Sequence, residues 1–282
     1  MAKSLGKVIG MRLTISCAAF NNIKYTKLFV NSIVCSCPHE VFIVDNGSVD
    51  YTPNWLKEQG IKHTRYNENR GFSYAYNDCL DYALKDDDDL LLFCGNDIVF
   101  RPESIDFMVK AITESDYEML CGNEVLNKEI LTENKDALAN FKYKFSFDEK
   151  QYTELKYSQG GMNHSCLVRK KSAFDKVGYY DVNFYPAYFE DNDYARRCDL
   201  LGVKYGTVES AVFYHFWSRS IHEGGLKQLN DRRFTHNRAY YAHKWGGLVG
   251  KETYDLPFGN GELKIDSRYY EQNLLAELGV IQ

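Results

Sequence analysis

Four polar clusters, each at the edge of an apolar run, carry the residues able to do chemistry: Asp45-Asn46-Gly47-Ser48, Asn96-Asp97, Glu190-Asp191-Asn192-Asp193 and, after them, His215. Carboxylates and an imidazole are ligands a divalent cation accepts, and such a cation can neutralise the charge on a departing diphosphate. A separate carboxylate can take the proton of an attacking hydroxyl. In this order the clusters fit transfer of a group from a diphosphate carrier to a hydroxyl. Asp97 and His215 are then the metal ligands, Asp191 the base and Glu190 the second candidate for it.

Each cluster also has a plainer account. Asn-Gly is a common turn and Asp a common cap, an Asx-turn would place Asp97, and acids favour the positive end of a helix. A histidine closing Ala211-Val212-Phe213-Tyr214 can be an ordinary core residue. Capping uses one or two acids, however, whereas three gather here behind Tyr179, Tyr180, Phe184, Tyr185, Tyr188 and Phe189. The helix dipole would lower the pKa of Asp191, while burial and neighbouring acids would raise it, and the sequence leaves that contest open.

Two further stretches offer anion contacts. In Asn69-Arg70-Gly71-Phe72-Ser73, Gly71 permits close backbone approach, the following helix presents amide donors and carries Asn77, and Arg70 can meet a phosphate. Trp217, Ser218, Arg219 and Ser220 could close over a diphosphate with hydroxyl and guanidinium donors.

The elements that must hold these residues read as α/β. Apolar runs near 11–18, 40–45, 61–66, 89–94 and 117–121 alternate with helical spacing at Tyr25 to Val34, Pro53 to Gln59, Phe72 to Leu84 and Pro102 to Ile112. That alternation predicts βαβ units and a mainly parallel sheet with helices on both faces. Asp45 and Asp97 then sit at carboxyl ends of strands, where open α/β sheets bind ligands. Pro53 and Pro102 suit first helical turns. A polar surface excursion follows at 122–156, then a strand at 165–169, helices at Lys171 to Val177 and from Glu190, and strands at 203–208 and 211–215. Beyond Ser220 the chain reads as helical to about Trp245, and Tyr269 to Leu278 is amphipathic, able to cap the domain or pair with a second copy as a homodimer. The expected division is a nucleotide-binding and catalytic unit at 1–220 and a helical extension at 221–282.

Composition bounds the rest. At 282 residues and 44% hydrophobic content the chain can bury a sizeable core, and its formal charge of −5 gives no global pull toward nucleic acid or an anionic bilayer. No segment reaches the roughly 20 apolar residues of a membrane span. Eight cysteines without a CxxC pair, and no apolar leader, predict reduced thiols and a cytoplasmic protein. Cys35-x-Cys37 is the one close pair and reads as two small residues before a turn at Pro38, because no second cluster follows at zinc-like spacing.

Taken together, the motifs resemble inverting glycosyltransferases of family 2, with the GT-A fold, especially their rhamnosyltransferase-like branch. The carriers, between about Met11 and Trp245, are Val44-Asp45-Asn46-Gly47-Ser48 with Asp50, Asn67-x-Asn69-Arg70-Gly71-Phe72 with Asn77, Asn96-Asp97, Gly160-Gly161, Phe189-Glu190-Asp191-x-Asp193 with Arg196 or Arg197, and His215. The resemblance implies a UDP-, GDP- or dTDP-linked sugar donor and Mn2+ or Mg2+ held at Asp97 and His215. It implies a base at Asp191 and inversion by a single displacement. Asp45, Asn46, Arg70, Gly71, Asn77, Asn96 and Arg219 would contact the nucleotide sugar, and Gly161, Tyr188 and Trp217 the acceptor. The chain departs from the pattern at Cys17-Ala18-Ala19-Phe20-Asn21, where a Pro-Thr type turn is usual, and at Gly95, where Asn or Pro is commoner. Two other functions fit the same residues: a transferase whose acceptor is nucleic acid or protein, suggested by the basic stretch 232–244, and a catalytically silent sugar-nucleotide-binding module.

Overall fold

The structure, a computed structural model, describes residues 11–125, 154–217 and 223–268. Most of the expected excursion at 122–156 lies outside them, as do Ser218, Arg219, Ser220 and the amphipathic stretch 269–278.

β1 (Leu13–Ala19) is the hub of the sheet. It pairs in parallel with β2 (His39–Asp45) on one side and β4 (Leu90–Gly95) on the other, and β3 (Lys62–Arg65) extends the parallel set beyond β2. All seven residues of β1 are buried because helices cover both faces, which is why it reads as an unbroken apolar run. Leu13, Ile15 and Cys17 face one core with Phe29 of α1 (Ile23–Ser32), Trp55 and Leu56 of α2 (Thr52–Glu58), and Met108 of α4 (Ser104–Glu114). Ala18 faces the other, with Ala75, Tyr76 and Cys79 of α3 (Phe72–Ala83), Val177 of α5 (Lys171–Val177), and Tyr194 and Cys198 of α6 (Glu190–Leu200).

Beyond β4 the sheet becomes mixed. Its order is β3-β2-β1-β4-β8-β6-β9-β5, with β7 (Tyr157–Ser158) on β9. β8 (Cys166–Lys170) runs antiparallel to both β4 and β6 (Met119–Val125). β9 (Tyr205–His215) runs parallel to β6. The two strands expected at 203–208 and 211–215 are this single one, with a register shift opposite Gly122 and Asn123. β5 (Ile98–Phe100) pairs antiparallel with β9 and prolongs the extended chain after Asp97. As a result Pro102 lies just ahead of α4 rather than in its first turn.

The chain leaves β1 toward β2 and β3 on one side and returns to β4 on the other, so the carboxyl ends of β1, β2 and β4 border a crevice of the kind that receives ligands. α7 (Lys227–Trp245) packs beside α6 through Tyr240, Tyr241 and Trp245 against Phe184. Buried ion pairs add to that contact: Lys244 Nζ lies 2.6 Å from Asp193 of α6 and 2.7 Å from Asp181. Among the described residues no helix is long and apolar enough to cross a membrane.

Candidate functional site

The register of three strands builds the first wall of the site. Ile98 pairs with His215, and the Phe216 amide donates to the Asp97 carbonyl at 2.9 Å, so the turn between β4 and β5 sets Asp97 beside the end of β9. Asp97 Oδ1 lies 3.2 Å from His215 Nε2. From β6, Glu124 Oε1 comes within 3.2 Å of His215 Nδ1, while its other oxygen accepts from Asn163 Nδ2 at 2.8 Å. Burial pulls the imidazole's pKa down, but the hydrogen bonds to Asp97 and Glu124 outweigh it and lift it to about 9. Burial likewise opposes ionisation of Glu124, yet donors from His215, Asn163 and the Trp217 indole hold its carboxyl below the ordinary range.

The donor set fits a divalent cation. A carboxylate oxygen and an imidazole nitrogen 3.2 Å apart are spaced as neighbouring ligands on an ion with bonds of about 2.0–2.2 Å. A carboxylate on the far ring nitrogen is the usual way a ligating histidine is oriented. Gly95 keeps the approach open, since a Cβ there would stand 3.0 Å from Asp97 Oδ1 and 3.9 Å from His215 Nε2. The glycine that departs from the family pattern thus has a steric reason.

The second wall is the start of α6. Tyr188 and Phe189 both hold left-handed backbone, φ 76° and 74°, a conformation that costs a non-glycine residue about 1–3 kcal/mol. Asn237 of α7 secures the turn, donating from Nδ2 to the carbonyls of Ala187 at 2.9 Å and Tyr188 at 3.2 Å. The three acids that follow take different surroundings. Asp193 turns inward, fully buried, to Arg197, Lys244 and the Trp245 indole. Asp191 and Glu190 line the cleft. Burial pushes the Asp191 pKa up against its hydrogen bond from the Asn192 amide, so desolvation prevails over the helix end. Burial, then the neighbouring Asp191, hold Glu190 well above the carboxylate range, and its Oε2 has no hydrogen-bond partner among the described residues.

A raised folded-state pKa means that folding favours protonated Glu190. Its contribution to stability is present below the unfolded pKa of about 4.3 and is lost as pH rises through the folded value. Glu190→Gln should therefore stabilise the protein at neutral pH by on the order of 1 kcal/mol and so raise its melting temperature, with the gain vanishing in acid. Thermal melts at pH 7 and pH 4 measure this, and an equal or lower melting point for the variant at pH 7 would contradict the burial argument.

Between these walls lies a cleft of about 460 Å³ lined by Asn96, Asp97, Glu124, Tyr188, Glu190, Asp191, His215 and Trp217, among others. The acids at 97 and 191 and the imidazole at 215 share this one cavity. Asn96 donates to Thr26 Oγ1 at 3.1 Å. Trp217, more than half exposed, stands at the rim. Gly161 is exposed and outside the lining, where its neighbours Met162 and Asn163 take the wall.

The expected nucleotide contacts divide. Asp45 is buried at the end of β2, its Oδ1 accepting from the Ser48 amide at 2.9 Å and its Oδ2, without a hydrogen bond among the described residues, 3.7 Å from Arg65 Nε. Asp50 caps two helices, accepting from the amides of Ile23 and Thr52. The Asn46 amide is committed to the chain itself, donating to the Gly71 carbonyl and accepting from the Arg70 amide. Asn77 is not brought to the cleft: fully buried, it exchanges both hydrogen bonds with the backbone of Tyr180, at 2.8 and 3.0 Å. Arg70 stacks over the Tyr74 ring at 3.9 Å, away from the cleft lining. Gly71, at φ 86°, packs so closely that a Cβ would meet Tyr185 at 2.9 Å, so its close approach is to the aromatic loop. Arg219 lies outside the described residues. Of the basic stretch 232–244, Arg232 and Arg238 are exposed, and Lys244 is buried between two acids.

Glu124, Asn163, His164 and Asn237 do not stand out in the sequence. Glu124 stands at a strand's carboxyl end, the signal that identified Asp45 and Asp97, but the strand runs to Val125 rather than stopping at 121. His164 lines the cleft as a neutral imidazole, burial and Arg169 pushing its pKa down to about 3.

With fold and cleft defined, comparison with known proteins gives the class. Residues 14–178 match Glycosyl transferase family 2, and the chain belongs to that family. A galactofuranosyl glycosyltransferase of Leishmania donovani is 34% identical over 77 residues, 27% of this chain and 17% of that protein. Among solved structures, a mannosyltransferase from Pyrobaculum calidifontis in complex with GDP-Man and Mn2+ superposes with a TM-score of 0.55 at 14% identity, over 81% of this chain and 63% of that one. TarS of S. aureus, residues 1–349, in complex with UDP-GlcNAc gives 0.54 at 15% identity, over 72% and 58%. The chain therefore spans less than two thirds of each of these proteins, and the likeness establishes the GT-A fold.

Proposed function

We propose that the protein is an inverting glycosyltransferase, moving a hexosyl or deoxyhexosyl group from a nucleoside-diphosphate sugar to a hydroxyl of a glycan, lipid-linked or polysaccharide acceptor. The observation that carries this reading is the shared cleft, with a metal-ligand pair at Asp97 and His215 on one wall and a desolvated carboxylate at Asp191 on the other. Asp97 Oδ1 and His215 Nε2 would hold Mn2+ or Mg2+, which when bound neutralises charge on the diphosphate leaving group. Ionised Asp191 accepts the acceptor hydroxyl's proton as that oxygen bonds to the anomeric carbon and the bond to the diphosphate breaks. One displacement, from the face opposite the leaving group, inverts the centre. Asp45 at the end of β2 serves the nucleotide, while Tyr188 and Trp217 offer apolar ring surface to sugar or acceptor. Residues 1–220 form the catalytic unit in this reading and 221–282 an extension whose helix braces α6.

Donor hydrolysis and transfer with UDP-, GDP- and dTDP-sugars, with and without manganese, test it; nucleotide binding without turnover on any acceptor would favour the silent module instead. The metal assignment has its own check. Glu124→Gln keeps the shape but removes the charge orienting His215, and should weaken Mn2+ binding by about 10–100-fold. Titration followed by the paramagnetic signal of free manganese reads this directly, and unchanged affinity would remove His215 from the ligand set.

A further inference from the structure

At the far end of β2 from Asp45, a second set of metal-ligating side chains comes together. Cys35 and Cys37 sit in the loop before β2, and their Sγ atoms lie 2.8 Å apart. Asp106, in the first turn of α4, reaches the same loop, its Oδ1 accepting from the Ser36 amide at 2.8 Å and the Ser36 hydroxyl at 3.0 Å. A ligand atom from each of Cys35, Cys37 and Asp106 lies within 4.8 Å of the other two, and all three residues are half-buried. The other six cysteines are buried in the cores. Neither sulfur belongs to the catalytic cleft.

We propose that Cys35, Cys37 and Asp106 form a binding site for a thiophilic divalent cation of the zinc class, distinct from the cleft. Two thiolates and a carboxylate are a donor set Zn2+ takes, and the half-exposed position leaves the fourth ligand to water. The cleft pair, a carboxylate and an imidazole, has no sulfur, so ligand softness separates the two sites. Zinc–sulfur bonds of about 2.3 Å set tetrahedral sulfurs roughly 3.8 Å apart, so the thiols part by about 1 Å on binding. The two thiol protons pass to solvent, leaving a net charge of −1 from three anionic ligands around the dication. The ion would tie the loop between α1 and β2 to the start of α4. This accounts for a pair that spacing alone could not make a site: the third ligand is 69 positions further along, and only the fold delivers it.

The test uses the full chain, reduced and stripped with chelator, titrated with Zn2+ and with Co2+ as a spectroscopic reporter. One equivalent should bind with a sulfur-to-cobalt charge-transfer band, displaced by Zn2+. Cys35→Ser and Cys37→Ser should each abolish the band, and Asp106→Asn should lower affinity by about tenfold or more. Should a variant misfold, thiol labelling of the wild type gives an independent reading: the two half-buried thiols react without metal and are protected by Zn2+. Absence of the band in the reduced protein, its survival in the doubly substituted Cys35→Ser/Cys37→Ser chain, or a Cys35–Cys37 disulfide persisting under reductant would each overturn the proposal.

Discussion

Asp191→Asn is expected to lower turnover by about 10²–10⁴-fold while leaving the fold and donor binding intact. The substitution keeps the side chain's size and its acceptance of the Asn192 amide, and removes only the capacity to take a proton. Because burial holds the Asp191 pKa above its ordinary range, the wild-type carboxylate is a better base than an exposed one. The sign follows: transfer depends on the ionised form, so kcat/KM rises with pH through the raised pKa and falls below it. In Asp191→Asn that acidic limb should disappear along with the rate. Initial rates across pH 4 to 8 for both proteins measure the effect, and a variant turning over at wild-type speed would transfer the role to another group. Glu190 is the neighbour to examine then, but its more complete burial holds a proton on it further up the pH scale and suits it less to act as base.

What could be read from the sequence was whatever one segment reveals by itself. The buried runs of β1, β2 and β4 announce a parallel sheet, and α5 and the start of α6 fall where helical spacing and the acid cluster set them. Asp45, at the end of β2, and Asp97, in the turn just past β4, stand out by that position. What escaped depends on pairing between segments far apart in the chain. Glu124 is a polar residue after Gly122-Asn123, where a local reading stops the strand, and only its pairing with β9 carries it on. Asn46 and Asn77 look like ligand contacts because an amide beside a glycine loop or on a helix could bond anything. Their partners are backbone groups 25 and 103 residues away, so each amide joins one part of the scaffold to another. The acid run 190–193 divides similarly: Asp193 belongs to an ion network in which one cation, Arg197, is local and the other, Lys244, comes from a helix 51 positions on.

That network should dominate stability. Lys244→Met is expected to destabilise the protein by about 3–5 kcal/mol, or roughly 10 °C in melting temperature. The ammonium is buried at 2% exposure between Asp181 and Asp193, neither of which is exposed at all. Methionine would fill most of the volume, so the loss is chiefly electrostatic. Burial raises the Asp193 pKa, and Lys244 with Arg197 more than reverse it; without the lysine that balance weakens. Asp181 would keep the Tyr240 hydroxyl and the Asn183 donors but no cation at its Oδ2. Adding Asp181→Asn to Lys244→Met should recover part of the loss, because it removes the buried charge left over, whereas a simple packing defect would not respond. Because the first turn of α6 carries both Asp191 and, two residues on, Asp193 of this network, loosening α7 should also make turnover fail at a lower temperature than in the wild type. Calorimetry of the single and double variants decides it: a loss under about 1 kcal/mol, or no recovery in the pair, would show that hydrophobic contact alone holds α7 to α6.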